Sequence, residues 1–214
     1  MRARERGRFA ALRWAGAAGA FLIGFAGIGG GALPVVENPW QNFPFGAEMG
    51  RMMLASNALV LIGVGVLVAA WLAMAPFVGA SPGAARGARV SNPEMLRTFI
   101  AWVVPLIATA PLFTQDIYSY LANGSIVRQG LDPYSSGPVE LLGVEHHLAR
   151  SVPFIWAHSP SPYGPVALGT AAVISHITGD SIFWGVLAHR AVSVAGILAA
   201  AWAVLALAKR CGVT

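Results

Sequence analysis

The sequence contains few charged residues and a single cysteine. Of its 214 residues, 11% are charged and 56% are hydrophobic, and the mean hydropathy is +0.64. This balance excludes a soluble globular domain. The lone Cys211 excludes an intramolecular disulfide and a thiolate metal cluster.

A basic surface interleaved with aromatic residues is also missing. The chain has 14 basic and 9 acidic residues, and we attribute this basic excess to membrane topology. Nucleic acid is therefore not an expected partner.

Five apolar runs dominate the chain instead. The first two are uncharged and long enough to cross a bilayer core at 1.5 Å per residue. The third contains Pro105 and Pro111, the fourth is short, and the fifth is interrupted by His189 and Arg190. We predict an all-α, polytopic membrane protein with about five transmembrane spans and a large extracytoplasmic loop of short juxtamembrane helices. The predicted spans cover 14–33, 52–78, 98–113, 163–177 and 182–208.

The positive-inside bias orients these spans in the plasma membrane. The four N-terminal arginines place the N-terminus in the cytoplasm, and Arg86, Arg89 and Arg97 place the following inner loop there as well. The predicted organisation is three spans within 1–113 with a cytoplasmic linker at 79–97, an extracytoplasmic catalytic loop at 114–162, and two further spans within 163–214. By composition, 79–92 is a flexible part of that linker.

The last two spans conflict with the same bias. If both cross the membrane, Lys209 and Arg210 lie outside. Either one of the two runs is re-entrant, or the bias is overridden. We favour the second explanation.

The loop 114–162 concentrates the polar chemistry of the chain. It holds four of the acidic residues and three of the five histidines, and ionisable groups beside a bilayer are costly unless they have a function. We predict a helix at 115–129 with Thr114 as its N-cap and Gly130 at its end. A second short helix is expected at 140–150. The first helix would carry on one face Asp116, Ser119, Tyr120 and Asn123.

Asp116 permits two interpretations: an acid that stabilises the start of its own helix, or a catalytic carboxylate at the membrane surface. We favour the second because Tyr120 and Asn123 share its face. Asp132 precedes a proline and is more typical of an Asx turn than of catalysis. His146 and His147 diverge on a helix, so a chelating pair is not expected.

The remaining candidates are basic or aromatic. Arg128 and Arg150 suit either lipid phosphates or a lipid-linked phosphate. His158 and Tyr163 lie in a proline-rich entry to the fourth apolar run, where Tyr163 is either an interfacial anchor or a pocket residue. Arg190 within a span is a candidate functional charge. Asp180 is interpreted as a loop residue.

Three motifs carry a resemblance to a known family. They read T-Q-D-I-Y-S-Y-L-A-N-G at 114–124, G-L-D-P-Y-S-S-G-P at 130–138 and S-P-Y-G-P at 161–165. In this combination the chain resembles, from about 111 to 211, the polyprenol-phosphomannose-dependent α-1,6-mannosyltransferases of the actinobacterial cell envelope, which belong to the C-type glycosyltransferases.

The resemblance implies transfer of mannose from a polyprenyl-phosphate donor onto a mannan or lipoglycan acceptor, the lipomannan or lipoarabinomannan core, at the outer face of the plasma membrane. It implies that Asp116 is the general base and that no metal or other cofactor is required. The family's chains are longer, so an N-terminal fragment is expected. The predicted substrate-binding residues are Tyr118, Tyr120, Arg128, Asp132, Tyr134, His158, Tyr163 and Arg190.

Two alternatives stay open. One is a C-type transferase that uses another lipid-linked sugar, such as an arabinosyl or glucosyl donor. The other is a membrane transporter or a non-catalytic subunit. Transporters usually place their functional charges near the middle of the bilayer, whereas most charges here lie in a juxtamembrane loop. That distribution favours an enzyme.

Overall fold

The computed structural model describes residues 3–78 and 90–212, and over these residues the regular structure is helical, without strands. This confirms the predicted all-α class. The chain divides into two compact units, one formed by Met1–Leu33 and Asn38–Thr114, the other by Pro34–Glu37 and Gln115–Thr214.

In its described part, the first unit contains two long helices and two shorter ones. It also contains three short 3-10 turns, at Pro39–Asn42, Ala75–Phe77 and Val104–Leu106. The α-helices are α1 (Ala3–Gly30), α2 (Gly46–Arg51), α3 (Met53–Met74) and α4 (Asn92–Val103).

Small residues allow α1 and α3 to pack closely. A Cβ added to Gly19 would lie 2.8 Å from the Gly63 carbonyl oxygen, and a Cβ added to Gly63 would meet the Gly19 carbonyl oxygen at the same distance. The two backbones therefore touch at this point, as in the small-residue interfaces of membrane helices. Arg13 of α1 also pairs with Glu94 of α4 and donates to the Thr98 hydroxyl.

The predicted third span is not a continuous helix. The α4 helix passes into the 3-10 turn at Val104–Leu106, and residues 107–113 are not helical. Pro105 and Pro111 explain the ending, because proline removes a helix hydrogen bond and clashes with the preceding turn. Within the predicted linker 79–97, residues 79–89 lie outside the described residues, while α4 already begins at Asn92.

The second unit carries the predicted catalytic loop and the last two apolar runs. Its helices are α5 (Asp116–Arg128), α6 (Pro138–Leu142), α7 (His147–Ser151), α8 (Phe154–Ala157), α9 (Pro165–Thr178) and α10 (Ile182–Arg210).

Three of these helices form a bundle. Gly124 of α5 lies against the backbone of Ala171 in α9, where a Cβ would collide with the Ala171 carbonyl. Gly185 of α10 likewise faces the Leu121 side chain. The residue pairs along the bundle show that α5 and α9 run in the same direction and that α10 returns antiparallel to both.

Over the described residues, three helices are long and apolar enough to span a membrane: Ala3–Gly30, Met53–Phe77 and Ile182–Arg210. They coincide with three of the predicted spans. By comparison, α9 has 14 residues and is about 21 Å long, which is less than the roughly 30 Å hydrocarbon core. The count of five spans stays a prediction.

Candidate functional site

Helix α5 places Asp116 at its first position. The Asp116 side chain is half-buried. The N-cap is Gln115, without a side-chain capping bond, so the predicted capping role of Thr114 is wrong. The predicted end of the helix is confirmed, since Gly130 adopts φ +76° just after it.

Two tyrosines and a histidine come together beside this N-terminus. The rings of Tyr120 and Tyr163 meet edge to face, with centroids 4.9 Å apart and planes at 82°, and their side chains are hydrogen-bonded. The His189 ring lies 6.2 Å from Tyr120. Asp116 is close enough for its charge to act on the Tyr163 phenol. We call this part of the bundle the Asp116 end.

A cavity of about 370 Å³ opens at the Asp116 end between α5, α9 and α10. Ile117, Leu168 and Val192 form much of its apolar wall, and Tyr120, Tyr163 and His189 line it as well. Its volume falls within the range of small-ligand sites.

The opposite end of the bundle holds a buried carboxylate, Asp180. Asp180 is 9% exposed and accepts hydrogen bonds from Ser175 at 2.5 Å, Ser125 at 2.8 Å and Arg128 at 2.6 Å. Its backbone carbonyl lies 2.9 Å from His147 Nε2. Burial alone opposes ionisation, but these bonds and the Arg128 charge outweigh it and hold the Asp180 pKa below its ordinary value.

This network gives Arg128 a different partner from the predicted one. Arg128 also donates to the Ser175 hydroxyl at 2.9 Å, so its guanidinium joins α5 to the corner between α9 and α10. In this structure Arg128 lies at the end of α5 opposite Asp116 and binds a protein carboxylate.

Other predicted substrate-binding residues are buried or are hydrogen-bonded within the protein. Tyr118 is fully buried, and burial raises its pKa, so its ring is inaccessible. Asp132 accepts a hydrogen bond from the Tyr134 backbone N–H at 2.9 Å, which is the Asx turn. The exposed Tyr134 donates its hydroxyl to the Tyr163 carbonyl at 2.8 Å and thereby fixes the backbone of a cavity residue.

The histidines of the loop also contact other groups of the protein. His158 Nδ1 lies 2.5 Å from Glu140 Oε1, and this hydrogen bond lowers the Glu140 pKa. His146 is the N-cap of α7, and its ring stacks on His147 with centroids 4.8 Å apart. Burial and the adjacent His147 lower the pKa of His146. The predicted single helix at 140–150 is wrong, because Gly143 at φ +93° separates α6 from α7.

The arginines of this unit lie at separate places. Arg190 follows His189 on α10 and is half-buried, near the Asp116 end. Arg150 is 47% exposed and lies 4.0 Å from the exposed Glu145. Of the predicted substrate-binding residues, Tyr120 and Tyr163 are thus placed near Asp116.

Sequence reasoning missed His189 as a cavity residue and Asp180 as a buried carboxylate. A signal for Asp180 exists, because Gly-Asp after an apolar helix favours left-handed backbone and Asp180 has φ +63°. Its partners Ser125 and Arg128 are distant in sequence, and the spacing of residues alone does not reveal them.

Three apolar helices of membrane-spanning length among the described residues define an integral membrane protein of the helical class. Within that class, the chain belongs to the alpha-(1->6)-mannopyranosyltransferase family, whose N-terminal-domain profile matches residues 13–214. The resemblance found in the motifs is therefore confirmed.

Named relatives agree with this assignment. Alpha-(1->6)-mannopyranosyltransferase B of Corynebacterium glutamicum is 60% identical over 209 residues, covering 97% of this chain and 35% of the relative. Alpha-(1->6)-mannopyranosyltransferase Rv1459c of Mycobacterium tuberculosis is 37% identical over 208 residues, covering 95% of this chain and 34% of the relative. The chain thus spans about a third of the length of these relatives. No solved structure matches it significantly.

Proposed function

We propose that this protein transfers mannose from a polyprenyl-phosphate donor onto an α-1,6-mannan acceptor, the core of lipomannan and lipoarabinomannan, at the outer face of the plasma membrane. Family membership supports the mannosyl transfer. The observation that supports a lipid-linked donor is the position of Asp116 relative to α10.

Helix α10 is longer than the bundle to which it belongs. It has 29 residues, and its N-terminal part packs on α5 and α9 through Gly185, His189 and Ser193. Residues 194–210 continue for about 25 Å past the Asp116 end and are almost entirely exposed. Apolar side chains such as Ile197, Trp202 and Leu205 require lipid around them. This arrangement supports a placement in which the Asp116 end of the bundle faces the bilayer, where the phosphate of a lipid carrier would lie.

The chemistry follows from this placement. The acceptor hydroxyl oxygen forms a bond to the anomeric carbon of mannose, while the bond from that carbon to the carrier phosphate breaks. Asp116 accepts the hydroxyl proton as general base. The departing phosphate carries negative charge, and we assign its stabilisation to Arg190, because Arg128 is committed to Asp180.

The same geometry suggests how the last two apolar runs lie. Helix α9 runs beside α5 over its whole length, from Tyr163 opposite Tyr120 to Ser175 opposite Arg128. If α5 lies outside the membrane, α9 lies there too and does not cross. Helix α10 then enters from the outside and carries Lys209 and Arg210 to the cytoplasm, in agreement with the positive-inside bias. We therefore propose that the fourth apolar run lies outside the membrane, so that the positive-inside bias is not overridden.

Cys211 reports on this orientation directly. It is the only cysteine, it directly follows Arg210, and it is exposed. In intact cells we expect no reaction with a membrane-impermeant maleimide and full reaction after permeabilisation. As the matched control, Glu145→Cys in a Cys211→Ser background should react in intact cells, since Glu145 is 91% exposed in the predicted outer loop. Labelling of Cys211 in intact cells would show that α9 crosses the membrane.

The donor is tested by incubating membranes that contain the protein with radiolabelled polyprenyl-phosphate mannose and a mannan acceptor. We expect new α-1,6-linked mannose, identified by methylation analysis. Parallel reactions with polyprenyl-phosphate arabinose and polyprenyl-phosphate glucose test the other lipid-linked sugars. Incorporation from one of these and not from the mannosyl donor would reject the proposed substrate.

A further inference from the structure

The cavity at the Asp116 end has few hydrogen-bond donors to offer a ligand. Asn123 uses its amide N–H on the Ser119 carbonyl at 2.8 Å. Thr170 donates to the Val166 carbonyl at 2.8 Å, and Ser193 donates to the His189 carbonyl at 3.0 Å. These polar residues line the cavity. Both hydroxyls and one amide N–H of Asn123 already donate to backbone carbonyls of their own helices. The three side chains therefore offer a ligand mainly acceptor oxygens.

His189 adds a further acceptor. Its Nδ1 lies 2.9 Å from the Gly185 carbonyl oxygen. A carbonyl accepts and cannot donate, so Nδ1 carries the proton, and in the neutral ring Nε2 is an acceptor. The bond to Gly185 also fixes the orientation of the ring beside Tyr120.

The charged groups and hydrogen-bond donors that line the cavity determine which part of the substrate it can bind. Among the described residues, those that line the cavity include no lysine, arginine or carboxylate, and one of the two phenolic hydrogens of the tyrosine pair is used within that pair. A phosphate needs several donors or a cation, so this cavity disfavours it. An isoprenoid chain would leave the acceptors of Asn123 and His189 buried without partners, at a cost.

A sugar ring matches both the hydrogen-bond acceptors and the aromatic surface of the cavity. Its hydroxyls donate hydrogen bonds, and its C–H face packs on aromatic rings such as Tyr120 and Tyr163. We infer that the cavity between α5, α9 and α10 binds the neutral hexosyl ring, with His189 Nε2 and Asn123 Oδ1 accepting hydrogen bonds from its hydroxyls. The identity of the hexose as mannose rests on the proposed function. In this arrangement His189 and Asn123 determine specificity, and the phosphate lies outside the cavity.

The inference is tested by binding, without turnover. The full chain is placed in lipid nanodiscs, and saturation transfer to the ring protons of methyl α-D-mannopyranoside is measured by NMR. We expect binding that is about three- to tenfold weaker in His189→Ala, the effect of one lost neutral hydrogen bond. The matched control is His176→Ala, because His176 lies on an exposed position of α9 and its loss should leave binding unchanged.

Two competitors identify the bound chemistry even if His189→Ala fails to fold. With the wild-type chain, neither farnesol nor inorganic phosphate should displace the mannoside. Displacement by farnesol would assign the cavity to the isoprenoid, and displacement by phosphate would assign it to the carrier headgroup, and either result overturns the inference. Equal binding by wild type and a folded His189→Ala also overturns it.

The outcome is separable from that of the proposed function. If the mannoside binds in a His189-dependent manner while membranes transfer no mannose from the lipid donor, the hexose site stands and the proposed reaction fails. If transfer proceeds but the mannoside is displaced by farnesol, the reaction stands and the hexose site fails.

Discussion

Replacement of Asp116 by asparagine is expected to reduce mannosyl transfer by on the order of 10²–10⁴-fold, the usual loss when a general base is removed. Asparagine keeps the size and the hydrogen-bonding shape of the side chain, but it cannot take up the acceptor proton. Initial rates should be measured with radiolabelled polyprenyl-phosphate mannose in membranes that contain equal amounts of protein.

The matched control for this change is Glu145→Gln. It removes one carboxylate from the same predicted loop, and the Glu145 side chain is 91% exposed, so transfer should stay near the wild-type rate. A normally inserted Asp116→Asn protein with near wild-type transfer would remove Asp116 from the chemistry.

The second large effect is expected on stability, from Arg128→Ala. This change leaves the Asp180 carboxylate, 9% exposed, without its ion-pair partner. Breaking a buried pair costs about 3–5 kcal/mol. Arg128 is 35% exposed, and solvent screening reduces the cost to about 2–3 kcal/mol. For a chain of this size, that corresponds to an unfolding midpoint roughly 5–10 °C lower, measured in detergent by the fraction that remains monodisperse after heating.

The difference in unfolding midpoint between wild type and Arg128→Ala should depend on pH in a defined direction. The Asp180 pKa is held below its ordinary value of 3.8 in the folded protein, so its stabilising contribution is complete above about pH 4 and is lost as the pH falls through the lower folded value. Loss of Arg128 raises the folded pKa. The difference in midpoint between wild type and Arg128→Ala should therefore be largest near neutral pH and should narrow below about pH 4.

Arg150→Ala is the matched control for Arg128→Ala. Its ion pair with Glu145 is long, at 4.0 Å, and exposed, and such pairs contribute about 0–1 kcal/mol. Equal losses of stability in the two variants would contradict the structural role assigned to the Asp180 network.

Local sequence signals predicted several of the helices. The apolar runs that lie in α1, α3 and α10 are long enough to identify by composition. Helix α5 was predictable because no proline interrupts it and Gly130 ends it. The third apolar run was harder to interpret, since hydropathy does not show where Pro105 stops the helix.

The cavity and the buried network were not predictable, because they depend on packing between distant segments. His189 faces Tyr120 across 69 positions of sequence, and Ser125 reaches Asp180 across 55. From the sequence, Arg128 in particular is predicted to bind a phosphate. Only the parallel packing of α5 on α9 brings it to Ser175 and Asp180 instead.

The most direct test of the central claim, that the Asp116 end of this chain is where mannose is transferred, is a chimera. Residues 1–214 would replace the matching region of alpha-(1->6)-mannopyranosyltransferase B of Corynebacterium glutamicum, with which the chain aligns over 209 residues. In membranes of a strain lacking that relative, mannosyl transfer from polyprenyl-phosphate mannose should be restored by the chimera and absent with its Asp116→Asn version. If both versions insert in normal amounts and transfer mannose at the same rate, the account is contradicted.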